Sequence, residues 1–229
     1  MTINGMQKLT LLDYPGNVAC LIFTQGCNFR CPFCHNSGLL DMNNNCEKID
    51  EKEVFKYLEK RRGLLDGVCI SGGEPLLQKD IVDFIRKVKD LGYKVKLDTN
   101  GSSPKKLKQL IEDGLIDYVA MDIKNDFLNY DKTAGMCTNI DNIKKSIEII
   151  ENSNIEYEFR TTIVKQFHDV GKLEKIIQYI GPNARYYIQN YQDCSSVLQR
   201  GLNGFDNEEL LNIKNTLGVK YPNLVVRGV

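Results

Sequence analysis

The stretch "VACLIFTQGCNFRCPFCHN" covers residues 18–36. Its first seven residues form a short apolar run and read as a buried strand at 18–24. The strand leads directly into Cys27, Cys31 and Cys34, three thiols spaced C-x3-C-x2-C. A structural zinc ion takes four ligands, and a simple four-iron cluster takes four thiolates. A three-thiol loop therefore describes a metal site with one corner left open.

Outward from this loop, apolar runs alternate with helical patterns as far as about residue 191. Further strands read at 67–71, 93–98, 117–123, 157–164 and 184–191. Between them Ile140, Ile143, Ile147 and Ile150 recur by threes and fours, as do Val170, Leu173, Ile176, Ile177 and Ile180, and Leu107, Leu110 and Ile111. Asp50 and Glu53 suggest a capping box ahead of a helix near 51. Strand–helix alternation implies parallel strands with right-handed crossovers. Six units and a last helix near 206–217 fit 229 residues better than a closed eight-unit barrel of about 250. The expected fold is α/β, a partial (βα)6 barrel that is laterally open. It is read as one domain over 1–229, with its core at about 18–191 and a C-terminal helix and tail at about 205–229.

In such a sheet the chemistry belongs at the carboxyl ends of the strands. "SGGEP" (71–75) follows the second strand of this series and "DTNG" (98–101) the third. The fourth runs into "MDIK" (121–124), the fifth contains Arg160, and the sixth contains "IQN" (188–190). Singly, each has an ordinary explanation as a turn, a corner or a surface charge. Together, beside the cysteine loop, they define a candidate site.

Composition narrows the alternatives. Lys and Arg together number 30, as do Asp and Glu, so the formal net charge is zero and no general nucleic-acid footprint is expected. Lys105, Lys106 and Lys108 read as a solvated helix face. No apolar run approaches the roughly 20 residues of a membrane span, and the N-terminus lacks signal-peptide character. We therefore expect a soluble, cytoplasmic protein. Cys20 and Cys69 lie in apolar runs and read as packed thiols. Cys46, Cys137 and Cys194 are scattered, although a second cluster built from them is an alternative. A zinc site from Cys27, Cys31, Cys34 and His35 is another. Adjacent residues 34 and 35 do not readily reach one tetrahedral ion, and that reading leaves "SGGEP" and "MDIK" unexplained.

The cysteine spacing, Phe33 before the third thiol, and the glycine-rich motif after the next strand resemble the radical S-adenosylmethionine (SAM) superfamily. The likeness covers essentially the whole chain. It implies one [4Fe–4S] cluster on Cys27, Cys31 and Cys34, whose fourth iron is chelated by S-adenosylmethionine. An electron from the cluster then cleaves the sulfonium to give a 5′-deoxyadenosyl radical. The implied cofactor-binding residues are Phe33, Gly72, Gly73, Glu74, Asp98, Thr99, Asn100, Asp122, Lys124, Arg160 and Gln189. A monovalent cation near Asp98 and Asp122 is a further implication. "LLDYPG" (11–16), "GGEPLLQ" (72–78) and "LDTNG" (97–101) most resemble activating proteins of glycyl radical enzymes, in particular that of anaerobic ribonucleoside-triphosphate reductase. Implied partners are a glycyl radical enzyme and a flavodoxin- or ferredoxin-type electron donor, with neither nucleic acid nor membrane. The alternatives are a radical enzyme acting on a peptide or small metabolite, and a non-catalytic iron–sulfur or zinc protein. The segment 191–205 carries Val197, Leu198, Leu202 and Phe205. It reads either as a border of the channel for a partner segment or as an ordinary connection covering the barrel.

Overall fold

Each parallel strand of this chain stands beside its successor in the sequence. The structure, a computed structural model describing residues 1–41 and 48–227, contains one eight-stranded sheet in the order β1 to β8. The strands are β1 (Ile3–Thr10), β2 (Ala19–Thr24), β3 (Gly67–Gly72), β4 (Lys94–Thr99), β5 (Tyr118–Asp122), β6 (Glu156–Ile163), β7 (Tyr186–Asn190) and β8 (Leu224–Arg227). The helices are α1 (Glu51–Lys60), α2 (Ile81–Asp90), α3 (Pro104–Glu112), α4 (Tyr130–Ala134), α5 (Ile140–Glu151), α6 (Val170–Ile180) and α7 (Asn207–Gly218). Pairing is antiparallel between β1 and β2 and parallel from β2 to β8. Among the described residues no pairing joins β8 to β1, so the sheet stays open.

The six expected strands are present, and two more extend the sheet. β1 escapes a periodicity reading because Gln7, Lys8 and Leu9 are all exposed. β8 has only four residues, and Val226 is the one that is buried. The short helix α4 was also not expected. Cys46 lies outside the described residues.

Helix faces explain the packing. In α6, Leu173, Ile176, Ile177 and Ile180 are buried; in α5, Ile143, Ile147 and Ile150 are. Each fully buried aliphatic side chain of this kind contributes about 1.5–3 kcal/mol before entropy is counted. Asp50 caps α1 by accepting from the Lys52 N–H at 2.9 Å, but the reciprocal capping box forms at α7, between Asp206 and Glu209. Lys105 and Lys108 are exposed, whereas Lys106 donates to the carbonyls of Leu76 and Gln78 at 2.7 and 2.9 Å. The thiols of Cys20 and Cys69 are fully buried, as expected. Tyr14 of "LLDYPG" is buried against Gly67, where an added Cβ would meet its ring at 2.8 Å.

Register sets the height of the strand ends. Thr24 stands opposite Gly72, Thr99 opposite Met121, Asp122 opposite Arg160, and Thr162 opposite Gln189. The polar residues after successive strands therefore reach one rim.

Candidate active site

At that rim lies a cavity of about 270 Å³. It is lined by Cys27, Cys31 and Cys34 together with Phe33, Gly72, Gly73, Glu74, Asp98, Thr99, Asn100, Asp122, Lys124, Arg160 and Gln189. Every candidate site residue named from the sequence thus borders the same space. Phe29, His35, Asn36, Leu40, Ser71 and Thr162 complete the lining.

The cysteine loop is held by its own backbone and by its neighbours. Gly26 and Cys27 donate N–H groups to the carbonyls of Leu39 and Leu40 at 2.6 and 3.2 Å. The Phe29 N–H donates to the Cys27 sulfur at 3.3 Å, and the Cys34 N–H to the Cys31 carbonyl at 3.0 Å. The glycine loop lies directly on it. Gly73 donates to the Thr24 carbonyl at 2.9 Å and Glu74 to the Gly26 carbonyl at 2.7 Å. Gly72 has φ +119°, a conformation that glycine adopts freely, and a Cβ there would also press on the β2 backbone.

Glu74 is almost wholly buried. Its carboxylate accepts from Leu76 N–H at 3.1 Å, Thr99 Oγ1 at 2.8 Å and Asn100 N–H at 2.7 Å. Burial pushes its pKa up to about 7 despite these three donors. A carboxylate has about four acceptor positions, so Glu74 mainly braces the β3 loop against the β4 loop. Asn100 continues the brace by donating to Asn28 Oδ1 at 2.9 Å. Asn28, in the cysteine loop, was not anticipated because its role depends on that contact.

Charges alternate across the strand ends. Arg160 Nε donates to Asp122 at 2.8 Å, and its guanidinium lies 3.4 Å from Asp98. Lys124 reaches Asp122 at 3.1 Å, and Lys96 pairs with Asp98. Burial alone would raise both carboxyl pKa values. Arg160 and Lys124 hold Asp122 far below the usual range, and Arg160 and Lys96 hold Asp98 below it. Lys96 is another residue the sequence reading missed. It shares the inward face of β4 with Asp98, two positions along, and that spacing was the available signal.

The thiols behave differently. Burial pushes Cys27 up to about 11 and raises Cys31 and Cys34 as well, so all three are protonated near neutrality before metal arrives. Among the described residues, no group of three His, Cys, Asp or Glu side chains closes on a point suited to one ion. The three thiols instead border a cavity, a donor set that suits a multi-iron cluster with one iron unprotected. His35 Nε2 is engaged with the Gln192 carbonyl at 2.8 Å, and its ring stacks on Tyr191. The fourth ligand of the zinc alternative is thereby turned toward another partner.

Residues 191–205 pack against the cysteine loop. Besides the His35 contact, Gln199 N–H donates to the Pro32 carbonyl at 2.9 Å and Ser196 Oγ to the His35 carbonyl at 2.7 Å. Ser37 Oγ donates to the Ser196 carbonyl. Val197 and Leu202 are buried, Phe205 is partly so, and Leu198 is exposed.

The comparisons with known proteins identify the class of this fold. The Radical SAM superfamily model matches residues 21–180. The chain belongs to the radical SAM superfamily. It is 35% identical over 195 residues to a "putative glycyl-radical enzyme activating enzyme" of Methanocaldococcus jannaschii, covering 83% of this chain and 80% of that one. It is 30% identical to a pyruvate formate-lyase-activating enzyme of Clostridium pasteurianum, covering 78% and 76%. In fold it is similar to a radical SAM methyltransferase from Sphaerobacter thermophilus, with TM-score 0.73 and 12% identity over 96% of this chain and 68% of that one. Among the described residues no helix is long and apolar enough to cross a membrane.

Proposed function

We propose that this chain is an activase that generates a glycyl radical on a partner enzyme, with anaerobic ribonucleoside-triphosphate reductase the first partner to test. The observation that carries this reading is the meeting of three thiols with Asp98, Asp122, Lys124, Arg160 and Gln189 around one cavity. The similarity to activating enzymes supports it. Cys27, Cys31 and Cys34 would hold one [4Fe–4S] cluster. Bound there with S-adenosylmethionine, the cluster supplies the one-electron reductive cleavage whose radical product takes hydrogen from a glycine Cα.

The chain's own residues do the rest. Gly72 and Gly73 would let backbone approach the cofactor's methionine part, and Glu74 would accept from its ammonium. Asp98 and Asp122 would oppose the sulfonium charge. Lys124 and Arg160 would balance the cofactor carboxylate, and Phe33, buried against Phe167, would help cover the adenine. Thr99 and Asn100 hold Glu74 in place, and Gln189 closes the rim at β7. A monovalent cation would have to share Asp98 and Asp122 with Lys96, Arg160 and Lys124. Residues 191–205 would border the channel for the glycine-bearing segment. A flavodoxin- or ferredoxin-type protein would supply the electron, in the cytoplasm.

The test is anaerobic reconstitution with reductant, S-adenosylmethionine and a candidate partner, read by electron paramagnetic resonance. A glycyl radical doublet on the reductase, or on pyruvate formate-lyase as the second candidate, supports the proposal. Turnover of the cofactor without a glycyl signal on either would shift the reading to peptide or metabolite modification.

A further inference from the structure

The monovalent cation implied for Asp98 and Asp122 meets a competitor inside the chain. Side chains alternate along β4, so Lys96 and Asp98 share its inward face. Lys96 is only 1% exposed, and its ammonium donates to Asp98 Oδ1. Its other printed neighbours are uncharged: the Cys69 sulfur at 3.9 Å and the Tyr118 ring, whose centroid is 5.7 Å away. A lysine buried this deeply is rare and needs a countercharge, which Asp98 supplies.

Asp98 has a second cation as well. Arg160 lies 3.4 Å from Asp98 Oδ2 and donates through Nε to Asp122 Oδ1 at 2.8 Å, while Lys124 reaches Asp122 Oδ2 at 3.1 Å. Each of the four carboxylate oxygens thus faces a cationic nitrogen of the chain. Arg160 also lies 3.7 Å from Glu158, which pairs with Arg227 at 2.9 Å. In this network Lys96, Lys124, Arg160 and Arg227 outnumber Asp98, Asp122 and Glu158. An alkali ion would enter a buried cluster that already has an excess of positive charge, where like charges repel strongly. These residues do not fit one. Nor does Asp98 need Lys96 for neutrality, since Arg160 supplies it, and an apolar residue at position 96 would avoid the desolvation cost. The lysine adds a fixed charge against a carboxylate that borders the cofactor cavity.

We propose that Lys96 is a positioning residue that acts as a built-in monovalent cation: its ammonium holds Asp98 in place of a bound alkali ion, so cofactor binding by this chain needs no added Na⁺ or K⁺. With Asp98 held by its neighbour on β4, Arg160 bridges the two aspartates at the cavity wall. The tether makes the charge permanent, whereas a free ion would come and go with the salt.

This inference rests on the cofactor site proposed above, and its test tells the two apart. S-Adenosylmethionine is titrated onto the anaerobically reconstituted protein in choline chloride, NaCl and KCl at one ionic strength, and the metal-free chain is melted in the same salts. Wild-type affinity should agree across the three salts to within about twofold. Lys96→Ala opens a hole beside Asp98. In choline it should bind the cofactor roughly tenfold more weakly, the scale of removing one buried charge, and Na⁺ or K⁺ should restore most of the loss. Its melting temperature, relative to wild type, should rise when Na⁺ or K⁺ replaces choline. Lys96→Met fills the hole without the charge and should bind weakly in every salt; it decides the matter if Lys96→Ala fails to fold. A larger dependence of wild-type binding on Na⁺ or K⁺ would overturn the built-in cation and leave the cofactor site standing. So would a folded Lys96→Ala that loses no affinity or gains nothing from either ion, or a Lys96→Met with wild-type affinity. Absence of cofactor binding by wild type in all three salts would overturn both readings.

Discussion

Replacing Gly73 by alanine tests how tightly the glycine loop must sit on the cysteine loop. The new Cβ would fall on the Gly26 carbonyl, 2.6 Å from its carbon, whereas real Cβ contacts keep at least 3.0 Å. The obstacle is backbone on both sides, so no side-chain rotation relieves it. The two loops must separate, which strains the hydrogen bonds from Gly73 to Thr24 and from Glu74 to Gly26. Overpacking costs about 1–3 kcal/mol and each bond about 0.5–1.5, giving about 2–6 kcal/mol in all. For a chain of this size the melting temperature should fall by roughly 4–24 °C, at about 2–4 °C per kcal/mol. Gly38→Ala is the control, because nothing lies within 4 Å of its Cβ; its effect should stay within about 0.5 kcal/mol. The assays are thermal unfolding of the metal-free chain and iron content after anaerobic reconstitution. A Gly73→Ala protein that melts with wild type and takes up full iron would refute the close-contact argument.

Replacing Cys27, Cys31 or Cys34 by alanine should abolish iron binding, whereas Cys46→Ala, Cys137→Ala and Cys194→Ala should retain it; iron loss in any of the last three would disprove a single cluster. Asp122→Asn should keep the cluster but weaken S-adenosylmethionine by roughly one to two decades in equilibrium titration, about 1.4–2.8 kcal/mol, because it removes one of the two carboxylate charges opposing the sulfonium. An unchanged titration would remove Asp122 from the cofactor site. Because burial raises all three ligand thiols, with Cys27 at about 11, loading the site near pH 7.5 should release about three protons. Calorimetry in buffers of different ionisation enthalpy counts them, and release of one or none would contradict protonated thiols. For the metal-free chain the sign reverses: these thiols contribute stability below their unfolded pKa of about 8.5, and it is lost as pH rises toward 11. Deleting 195–203 with a short flexible linker should lower partner activation while leaving the cluster and uncoupled cofactor cleavage; normal glycyl radical yield would refute the channel role.

Most of the site was legible because strand ends carry chemistry by position. Asp98, Asp122 and Gln189 each sit at or beside the end of an apolar run, and the register sets Arg160, from within β6, opposite Asp122. What stayed hidden depends on contacts between distant segments. Asn28 acquires meaning only through Asn100, and Glu74 becomes a brace only when the β4 loop supplies Thr99 and Asn100. Lys96 looked like one more strand lysine until its inward face was fixed by Asp98. β1 and β8 were missed for a simpler reason: as edge strands, neither buries enough side chains to print a pattern.

The contact between His35 and Gln192 spans 157 residues of chain. Synthesis at roughly 5–20 residues per second therefore leaves the cysteine loop without that cover for roughly 8–31 s on each ribosome. Over that interval the nascent thiols meet whatever iron, sulfide or oxidant the compartment offers. The order in which the chain is made thus gives metal delivery a head start over closure, and exposes every newly made copy to oxygen at the same moment.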